Sequence, residues 1–288
     1  MKAKYYIADV FAEEKNGGNQ LAVVFPKHEL SDEEMQAIAL EFHFSETTFV
    51  TGMKDDAYAV RIFTPAVEVP FAGHPTLGTA AVIAREYGLD SQTPIKLSLK
   101  AGVIPVTMSA GDGVLWMKQN QPDFGARYDI KTIAEKFGMY MNDFHPAYPP
   151  AVVSTGIPFL MIPLGGADAL RHSQAVFSTG SGRVTKDMEN PFYCFLPPEH
   201  PYGGTAAARL FAPQFGIAED PATGSAAGCM GAYLTHYGPD KTIDIKILQG
   251  AEVNRPSVLY VKTTKTGEKF EVLVGGKVVF FSEGHVLS

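Results

Sequence analysis

The sequence predicts a mixed α/β protein made of two pseudo-symmetric halves, each a mixed β-sheet wrapped around a central helix. Three observations lead to this fold class. Apolar runs rich in β-branched and aromatic residues outnumber helical patterns, two helical patterns have almost no polar face, and two stretches of the chain resemble each other. The chain has 288 residues, which is the length of about two domains.

Most predicted elements are strands, because short apolar runs with a strand-like pattern recur along the chain. These runs lie at residues 4–12, 20–25, 47–51, 57–63, 95–99, 114–118, 152–164, 191–196, 243–248 and 257–261. Two further runs, 270–274 and 278–282, predict a final hairpin that turns at Gly275 and Gly276.

Two surface helices are predicted from their capping residues. Ser31 and Glu34 form a capping-box pattern that opens a helix running to about Phe42, and Asp129 can cap a short helix that ends near Gly138.

Two more helices, at 75–87 and 225–237, consist largely of Ala, Gly, Thr and apolar residues. Helices without a polar face belong in an interior, so each is expected to be the central helix of one half. The halves are therefore expected at 1–120 and 121–288, with the final strands either staying in the second half or returning to the first.

The two halves also resemble each other in sequence. Residues 61–65 match residues 209–213 at Arg, Phe and Pro. Residues 74–81 align with residues 220–227, sharing one Pro, one Gly and two Ala, and both helical patterns end in Tyr-Gly. Three matching blocks in the same order predict an internal repeat, although buried helices also share small residues by composition alone.

The start of each small-residue helix is typical of an anion-binding site. Pro in the first turn, followed by Thr, Ser and Gly, leaves backbone N–H groups without side-chain caps. A helix N-terminus carries roughly half a positive charge, so a carboxylate or phosphate could bind there. Plain helix capping explains the same residues equally well.

His74 and Asp220 are the polar residues at these two helix starts, and the alignment gives them matched positions. The local positive potential favours a neutral His and an ionised Asp, and an ionised Asp can bind an ammonium group. An isolated His or Asp is more often a hydrogen-bonding core residue or a cap. It is the matched placement that favours a functional role.

Composition and charge exclude several classes of function. Lys and Arg number 24 against 31 Asp and Glu, a net charge of -7 without a basic cluster, so nucleic acid and anionic membranes are poor partners. The two cysteines, Cys194 and Cys229, favour free thiols in a reducing compartment, and a cytoplasmic location is expected. No histidine pair has zinc spacing, and neither a phosphate loop nor a dinucleotide fingerprint occurs.

Four motifs carry a resemblance to a known family. They are FAGHP at 71–75, GGNQLAVV at 17–24, SETTFV at 45–50 and GIAEDPATGS at 216–225. Together they resemble the phenazine-biosynthesis PhzF-like family over essentially the whole chain. The resemblance implies a diaminopimelate-epimerase-like fold with the active site in the cleft between its halves, and it implies a homodimer.

The resemblance also implies the roles of the site residues. The glutamate of the Ser-Glu-Thr motif, here Glu46, would move the substrate proton, although from the sequence alone a solvated carboxylate is the simpler interpretation. A carboxyl group screened from water can take a proton from one carbon and return it to another. The expected partners are His74 and Asp220 as catalytic residues, with Asn19, Gly73, Gly224 and Ser225 as substrate-binding residues. Gln20 departs from the proline usual after Asn19.

Cysteine placement argues against one alternative chemistry. Racemases of the wider fold use two cysteines, each just before a glycine at a central-helix N-terminus, but Ala72 and Thr223 occupy those places here. Cys229 lies inside its helix, where a small buried thiol is the better interpretation. A two-base racemase is therefore disfavoured.

The sequence thus predicts a cofactor-independent and metal-independent isomerase. It would shift a double bond in a small carboxylate-bearing metabolite, with Glu46 as general acid/base. Two alternatives stay open, a small-molecule or protein binding module on the same fold and an epimerase that uses one carboxylate.

Overall fold

The computed structural model describes residues 2–91, 93–177, 190–200 and 202–287. The helices in these residues are α1 (Asp32–Phe42), α2 (Gly73–Tyr87), α3 (Ile130–Phe137), α4 (Ala167–Phe177) and α5 (Gly224–Tyr237). The first nine strands are β1 (Lys2–Val10), β2 (Asn19–Phe25), β3 (Glu46–Lys54), β4 (Ala57–Phe63), β5 (Glu68–Val69), β6 (Ile95–Leu99), β7 (Gly102–Met108), β8 (Leu115–Lys118) and β9 (Asp123–Arg127). The other strands are β10 (Ala151–Ser154), β11 (Pro158–Pro163), β12 (Phe192–Leu196), β13 (Tyr202–Ala212), β14 (Ile217–Asp220), β15 (Thr242–Gln249), β16 (Ser257–Thr266), β17 (Lys269–Gly276) and β18 (Val278–Leu287).

The chain divides into two compact units. The first unit comprises Met1–Lys118 and Gly275–Ser288, and the second comprises Gln119–Val274. In the first unit, β1 pairs antiparallel with β18 and β2, and β2 runs parallel to β3. Strand β4 then pairs antiparallel with β3 and β5 and parallel with β6, and β7 continues the sheet antiparallel between β6 and β8.

The second unit repeats this order of pairings. Strand β10 pairs antiparallel with β9 and β11, and β11 runs parallel to β12. Strand β13 pairs antiparallel with β12 and β14 and parallel with β15, which pairs antiparallel with β16. Strands β10 to β16 thus follow the pairing pattern of β1 to β7, and the internal repeat predicted from three short blocks is a repeat of topology.

A buried helix occupies the centre of each sheet. In the first unit, α2 contacts β1, β2, β3, β6, β7, β8 and β18, and every residue from Gly73 to Ala84 is buried. In the second unit, α5 contacts β10, β11, β15 and β16, and its first twelve residues are buried apart from Ser225. Small residues allow α2 to lie close against the strands. A Cβ at Gly78 would lie only 2.5 Å from Leu21 Cδ2 of β2. The predicted mixed α/β class, with a sheet around a central helix in each half, is confirmed.

The predicted capping of the surface helices is also confirmed. Ser31 Oγ accepts a hydrogen bond from the Glu34 amide, and the Glu34 carboxylate accepts one from the Ser31 amide. Asp129 caps α3 by accepting from the Lys131 amide, and Gly138, with φ 68°, is the C-cap residue after Phe137. These caps satisfy backbone groups that have no partner within the helix.

The two units contain the same arginine–glutamate arrangement. In the first unit, Arg61 Nε and Nη2 donate to Glu68 Oε1 and Oε2 at 2.8 and 2.6 Å. In the second, Arg209 donates to Glu219 through the same atoms at the same distances. The second pair is far more buried, with side-chain exposures of 1% and 3% against 25% and 12% for the first. Each pair ties β4 or β13 to the segment that leads into the central helix.

The structure contains elements that the sequence analysis did not predict, namely β5, β7, β9, β13, β14 and α4. Strand β13 holds Gly203, Gly204 and four alanines, which have low strand propensity. It forms because β12 and β15 pair with it on both sides. The single run predicted at 152–164 is two antiparallel strands, β10 and β11, which separate at Gly156.

The predicted turn at Gly275 and Gly276 is wrong. Both glycines are the last residues of β17, and after Lys277 the chain enters β18, which pairs with β1. A Cβ at Gly275 would lie 2.7 Å from the Trp116 ring, and one at Gly276 would lie 2.2 Å from the Phe11 ring. These glycines are needed because two aromatic rings pack against the strand.

Within the described parts of the chain, every helix is too short or too polar to cross a lipid bilayer.

Candidate active site

The start of α2 positions His74. Helix α2 begins at Gly73, and its N-cap Ala72 makes no side-chain cap hydrogen bond. The Thr76 amide donates to the Ala72 carbonyl, and Pro75 has no N–H group. The Gly73 and His74 amides are therefore the first-turn donors outside the hydrogen-bond ladder of the helix. His74 lies at this start with 6% of its surface exposed.

His74 is a neutral imidazole. Burial lowers the pKa of His74 to about 3, although a hydrogen bond to the backbone carbonyl of Gln20 favours the protonated ring. Nε2 makes no hydrogen bond to any residue that the structure describes. Nδ1 is therefore the nitrogen that donates to Gln20, and in the neutral ring Nε2 carries a lone pair.

Glu46 faces that lone pair. It is the first residue of β3, and the parallel pairing of β2 with β3 places it opposite Leu21, next to Gln20. Glu46 Oε2 lies 3.5 Å from His74 Nε2, and the two side chains are 19% and 7% exposed. The contact is not an ion pair, because the imidazole is neutral. A protonated carboxyl group at Glu46 could donate to Nε2, whereas an ionised one would meet its lone pair.

Asn19 belongs to the same edge of the first sheet. It is the first residue of β2, it is 3% exposed, and it directly precedes the Gln20 carbonyl that binds His74. The preceding loop is tightly constrained, because Gly18 has φ 66° and a Cβ there would lie 2.4 Å from the Val10 carbonyl oxygen. The first unit thus brings together Asn19, Glu46, Gly73 and His74.

The second unit positions Asp220 beside the start of α5. Asp220 ends β14, and the Thr223 hydroxyl donates to Asp220 Oδ2 at 2.5 Å. Helix α5 begins at Gly224, whose carbonyl accepts from Gln119 Nε2 at 3.1 Å, and half-buried Ser225 is its second residue. Thr223 is the N-cap but makes no side-chain cap hydrogen bond, since its hydroxyl binds Asp220.

The matched positions assigned to His74 and Asp220 are wrong. His74 is the second residue of α2, whereas Asp220 is the last residue of β14 and lies four residues before α5 begins. By helix start, His74 corresponds to Ser225 and Ala72 corresponds to Thr223. The sequence alignment relied on shared Pro, Gly and Ala residues, which fit a small-residue helix in more than one register.

The second unit has no counterpart of Glu46. Thr47 pairs with Phe63 in the first unit, and Phe192 pairs with Phe211 in the second. Because Phe63 and Phe211 match in the repeat, Glu46 corresponds to Pro191, which is buried. Only the first of the two repeated sheets presents a carboxylate at this place.

The two thiols lie outside these helix starts. Ala72 and Thr223 are the N-caps of α2 and α5, so no cysteine stands just before either helix. Cys194 and Cys229 are both buried, and burial raises the pKa of Cys229 to about 12 and also raises the pKa of Cys194. Neither thiol can be an efficient base near neutral pH.

Two residues that orient the candidate site residues were not predicted from the sequence. The Gln20 carbonyl fixes the tautomer of His74, and the buried Gln249 side chain binds both Asp220 and Thr223. Gln249 lies far from Asp220 in sequence, and its only signal is an amide at a buried position of a strand. Among the described residues, no cluster of three or more His, Cys, Asp or Glu side chains could hold a metal ion.

Comparisons with known proteins agree with these motifs. The model of the family "Phenazine biosynthesis-like protein" (PhzC-PhzF) matches residues 8–284. The chain is 32% identical over 291 residues to trans-2,3-dihydro-3-hydroxyanthranilate isomerase of Pseudomonas aeruginosa, covering 98% of each chain. It resembles the crystal structure of a Bacillus anthracis PhzF-family protein with a TM-score of 0.85 and 28% identity over the full length of both chains.

A more distant structure shares the fold alone. A hydroxyproline epimerase from Agrobacterium vitis is 11% identical, with a TM-score of 0.65 over 99% of this chain and 92% of the epimerase. The epimerase-like fold expected from the motifs is therefore confirmed. The chain belongs to the phenazine biosynthesis-like PhzC-PhzF family and is an isomerase.

Proposed function

We propose that this isomerase moves one proton between two carbons of a small carboxylate-bearing metabolite and so shifts a double bond, without a cofactor. Glu46 is the general acid/base. The observation that carries the proposal is the contact of the Glu46 carboxylate with neutral His74 at a helix start that has no side-chain cap. A single acid/base is consistent with the repeat, since the second unit has Pro191 at the position that corresponds to Glu46.

The proton movement has two steps. Ionised Glu46 removes a proton from one carbon, and the electron pair of the broken C–H bond enters a conjugated anion. The new carboxyl group at Glu46, whose side chain is 19% exposed, exchanges its proton with solvent and then gives a proton to another carbon, which leaves the double bond in a new position. No oxidant or reductant takes part, and Glu46 ends in its starting state.

His74 stabilises the protonated carboxyl group of Glu46 between these steps. Its Nε2 lone pair accepts a hydrogen bond from the protonated carboxyl group, and its Nδ1 hydrogen is already committed to the Gln20 carbonyl. The 3.5 Å separation is longer than a hydrogen bond, and such contacts commonly shorten when substrate is bound.

The remaining predicted residues bind the charged groups of the substrate. The Gly73 and His74 amides suit a carboxylate, because they point from a helix N-terminus and lie outside the helix ladder. Gly224 and Ser225 offer the corresponding amides in α5, and the Asp220 carboxylate suits an ammonium group. The compound named for the Pseudomonas aeruginosa relative has both an acid group and an amino group.

The deciding experiment is solvent-deuterium incorporation with trans-2,3-dihydro-3-hydroxyanthranilate as the probe. Wild-type protein in D2O is expected to release product with one deuterium at a carbon, detected by mass spectrometry, and Glu46→Gln is expected to abolish this. Glu29→Gln removes an exposed carboxylate and is the matched control. Full incorporation by Glu46→Gln would rule out the assignment of Glu46.

The other outcomes separate the alternatives. Inversion of a stereocentre without a double-bond shift, detected by polarimetry, would favour a one-carboxylate epimerase. Binding of the probe without exchange in the wild-type protein would favour a binding module. A homodimer and a cytoplasmic location complete the proposal. The homodimer rests on the family resemblance and the cytoplasmic location on the two free cysteines, and light scattering of the purified protein tests the dimer.

A further inference from the structure

A buried amide ties the end of β15 to the loop in front of α5. Gln249 is 3% exposed, and its Nε2 donates to the Asp220 carbonyl at 2.8 Å and to Thr223 Oγ1 at 3.1 Å. Its Oε1 accepts from the Thr223 amide at 3.4 Å and from the Tyr193 hydroxyl at 3.3 Å. Both amide hydrogens and both lone pairs of Gln249 are therefore used.

The orientation of this amide is fixed by its neighbours. A flipped amide would point its oxygen at the Asp220 carbonyl and its hydrogens at two donors, the Thr223 amide and the Tyr193 hydroxyl. Burial raises the pKa of Tyr193, so its hydroxyl keeps its proton and always donates. Only one orientation satisfies all four groups.

That orientation sets the direction of the next hydrogen bond. The Thr223 hydroxyl has one hydrogen, and its oxygen already accepts from Gln249. Its hydrogen is therefore free to donate to Asp220 Oδ2, which lies at 2.5 Å. Gln249 thus acts on the Asp220 side chain through Thr223, and it also holds the Asp220 backbone.

The backbone around this contact is closely fitted. Gly250, which follows Gln249, has φ 81°, and a Cβ there would lie 2.4 Å from the Pro221 carbonyl oxygen. Only glycine allows β15 to end so close to the loop of Asp220. The loop is thus held by backbone packing as well as by the amide.

We propose that Gln249 is a positioning residue, which acts through the Thr223 hydroxyl to hold the Asp220 carboxylate in the orientation that binds substrate. This inference rests on the substrate-binding role proposed for Asp220. Thr223 is the N-cap residue of α5, and its hydroxyl binds the Asp220 carboxylate instead of capping the helix.

The test compares variants that keep, remove or redirect the hydrogen bond from the Thr223 hydroxyl to the Asp220 carboxylate. Thr223→Val removes the hydroxyl with little change in shape, whereas Thr223→Ser keeps it. Gln249→Glu places an acceptor against Thr223, so the hydroxyl turns to residue 249 and releases Asp220. Thr263→Val is the matched control, since Thr263 is 1% exposed and its hydroxyl has no hydrogen-bond partner in the described structure.

The readouts are kcat and KM for trans-2,3-dihydro-3-hydroxyanthranilate, thermal unfolding, and the Asp220 rotamer in crystals of the variants. Thr223→Val and Gln249→Glu are each expected to lower kcat/KM by about tenfold or more, the usual effect of losing a hydrogen bond to a charged group. The double variant should lose no more than either single one, and Thr223→Ser should retain most activity. A change in unfolding temperature with unchanged kcat/KM would mean a purely structural role and would overturn the inference.

Asp220→Asn, measured beside these variants, separates the two proposals. If Asp220→Asn lowers kcat/KM but Thr223→Val does not, and the Asp220 rotamer is unchanged, the positioning role of Gln249 is wrong while the role of Asp220 stands. If Asp220→Asn has wild-type kcat/KM, the proposed role of Asp220 fails and the positioning inference fails with it.

Discussion

Glu46 Oε2 lies 3.5 Å from His74 Nε2, on the side of the imidazole that carries a lone pair. The other ring nitrogen is held by the Gln20 carbonyl, and burial keeps the ring neutral. A carboxylate and a lone pair repel each other, whereas a carboxyl group and a lone pair attract. In the proposed mechanism, this contact therefore favours the state in which Glu46 has just taken a proton.

Replacing His74 by Phe should slow the proton transfer while keeping a ring of similar size in the helix start. The lone pair that accepts from protonated Glu46 is lost, so we expect deuterium incorporation to fall by about 10- to 100-fold. His28→Phe, at an exposed position, should leave the rate unchanged. An unaltered rate in His74→Phe would show that the imidazole has no part in stabilising protonated Glu46.

The buried imidazole should also make the protein less stable in acid. The pKa of His74 is about 3 in the folded protein and about 6.5 in an unfolded chain. Between these values the unfolded state binds one more proton, so stability falls as the pH falls, by at most about 1.4 kcal/mol per pH unit from this residue.

Urea unfolding between pH 4 and 8 measures this contribution. The wild-type protein should lose more stability than His74→Phe as the pH drops below about 6.5, and the difference between them isolates His74 from other titrating groups. Parallel curves for the two proteins would contradict a neutral buried imidazole.

The two arginine–glutamate pairs should contribute differently to the free energy of unfolding, although their hydrogen bonds match. Glu219→Gln leaves the 1% exposed Arg209 guanidinium without its counter-charge, and we expect a loss of about 3–5 kcal/mol in unfolding free energy. Arg61 keeps a second carboxylate, Asp32, and is 25% exposed, so Glu68→Gln should cost about 1 kcal/mol. Chemical denaturation of both variants tests whether Glu219→Gln loses more unfolding free energy than Glu68→Gln. Equal losses would refute this prediction.

The thiols of the native protein should be inert. Cys194 and Cys229 are buried, and the pKa of each is raised by burial. A thiol-specific chromogenic reagent at pH 8 is expected to label neither in the folded protein and both after denaturation. Rapid labelling of one thiol before unfolding would show that its helix or strand opens readily.

Some elements follow from local sequence alone. Strands 57–63 and 95–99 have the predicted bounds, because polar residues or proline flank each apolar run. The capping box at Ser31 and the Asp129 cap also act over only two or three residues. The motifs around Glu46 and His74 identified the family for the same reason, since each lies within a few consecutive residues.

Tertiary structure decided what depends on distant partners. Strand β13 exists because two neighbours pair with it, and Gly275 and Gly276 are fixed by the Trp116 ring of β8 and the ring of Phe11, which follows β1. The tautomer of His74 depends on a carbonyl 54 positions away, and the orientation of Asp220 depends on Gln249, 29 positions further along the chain. Local patterns specify the candidate site residues. The protonation and orientation of their side chains depend on burial and on hydrogen bonds between distant residues, and both exist only in the folded chain.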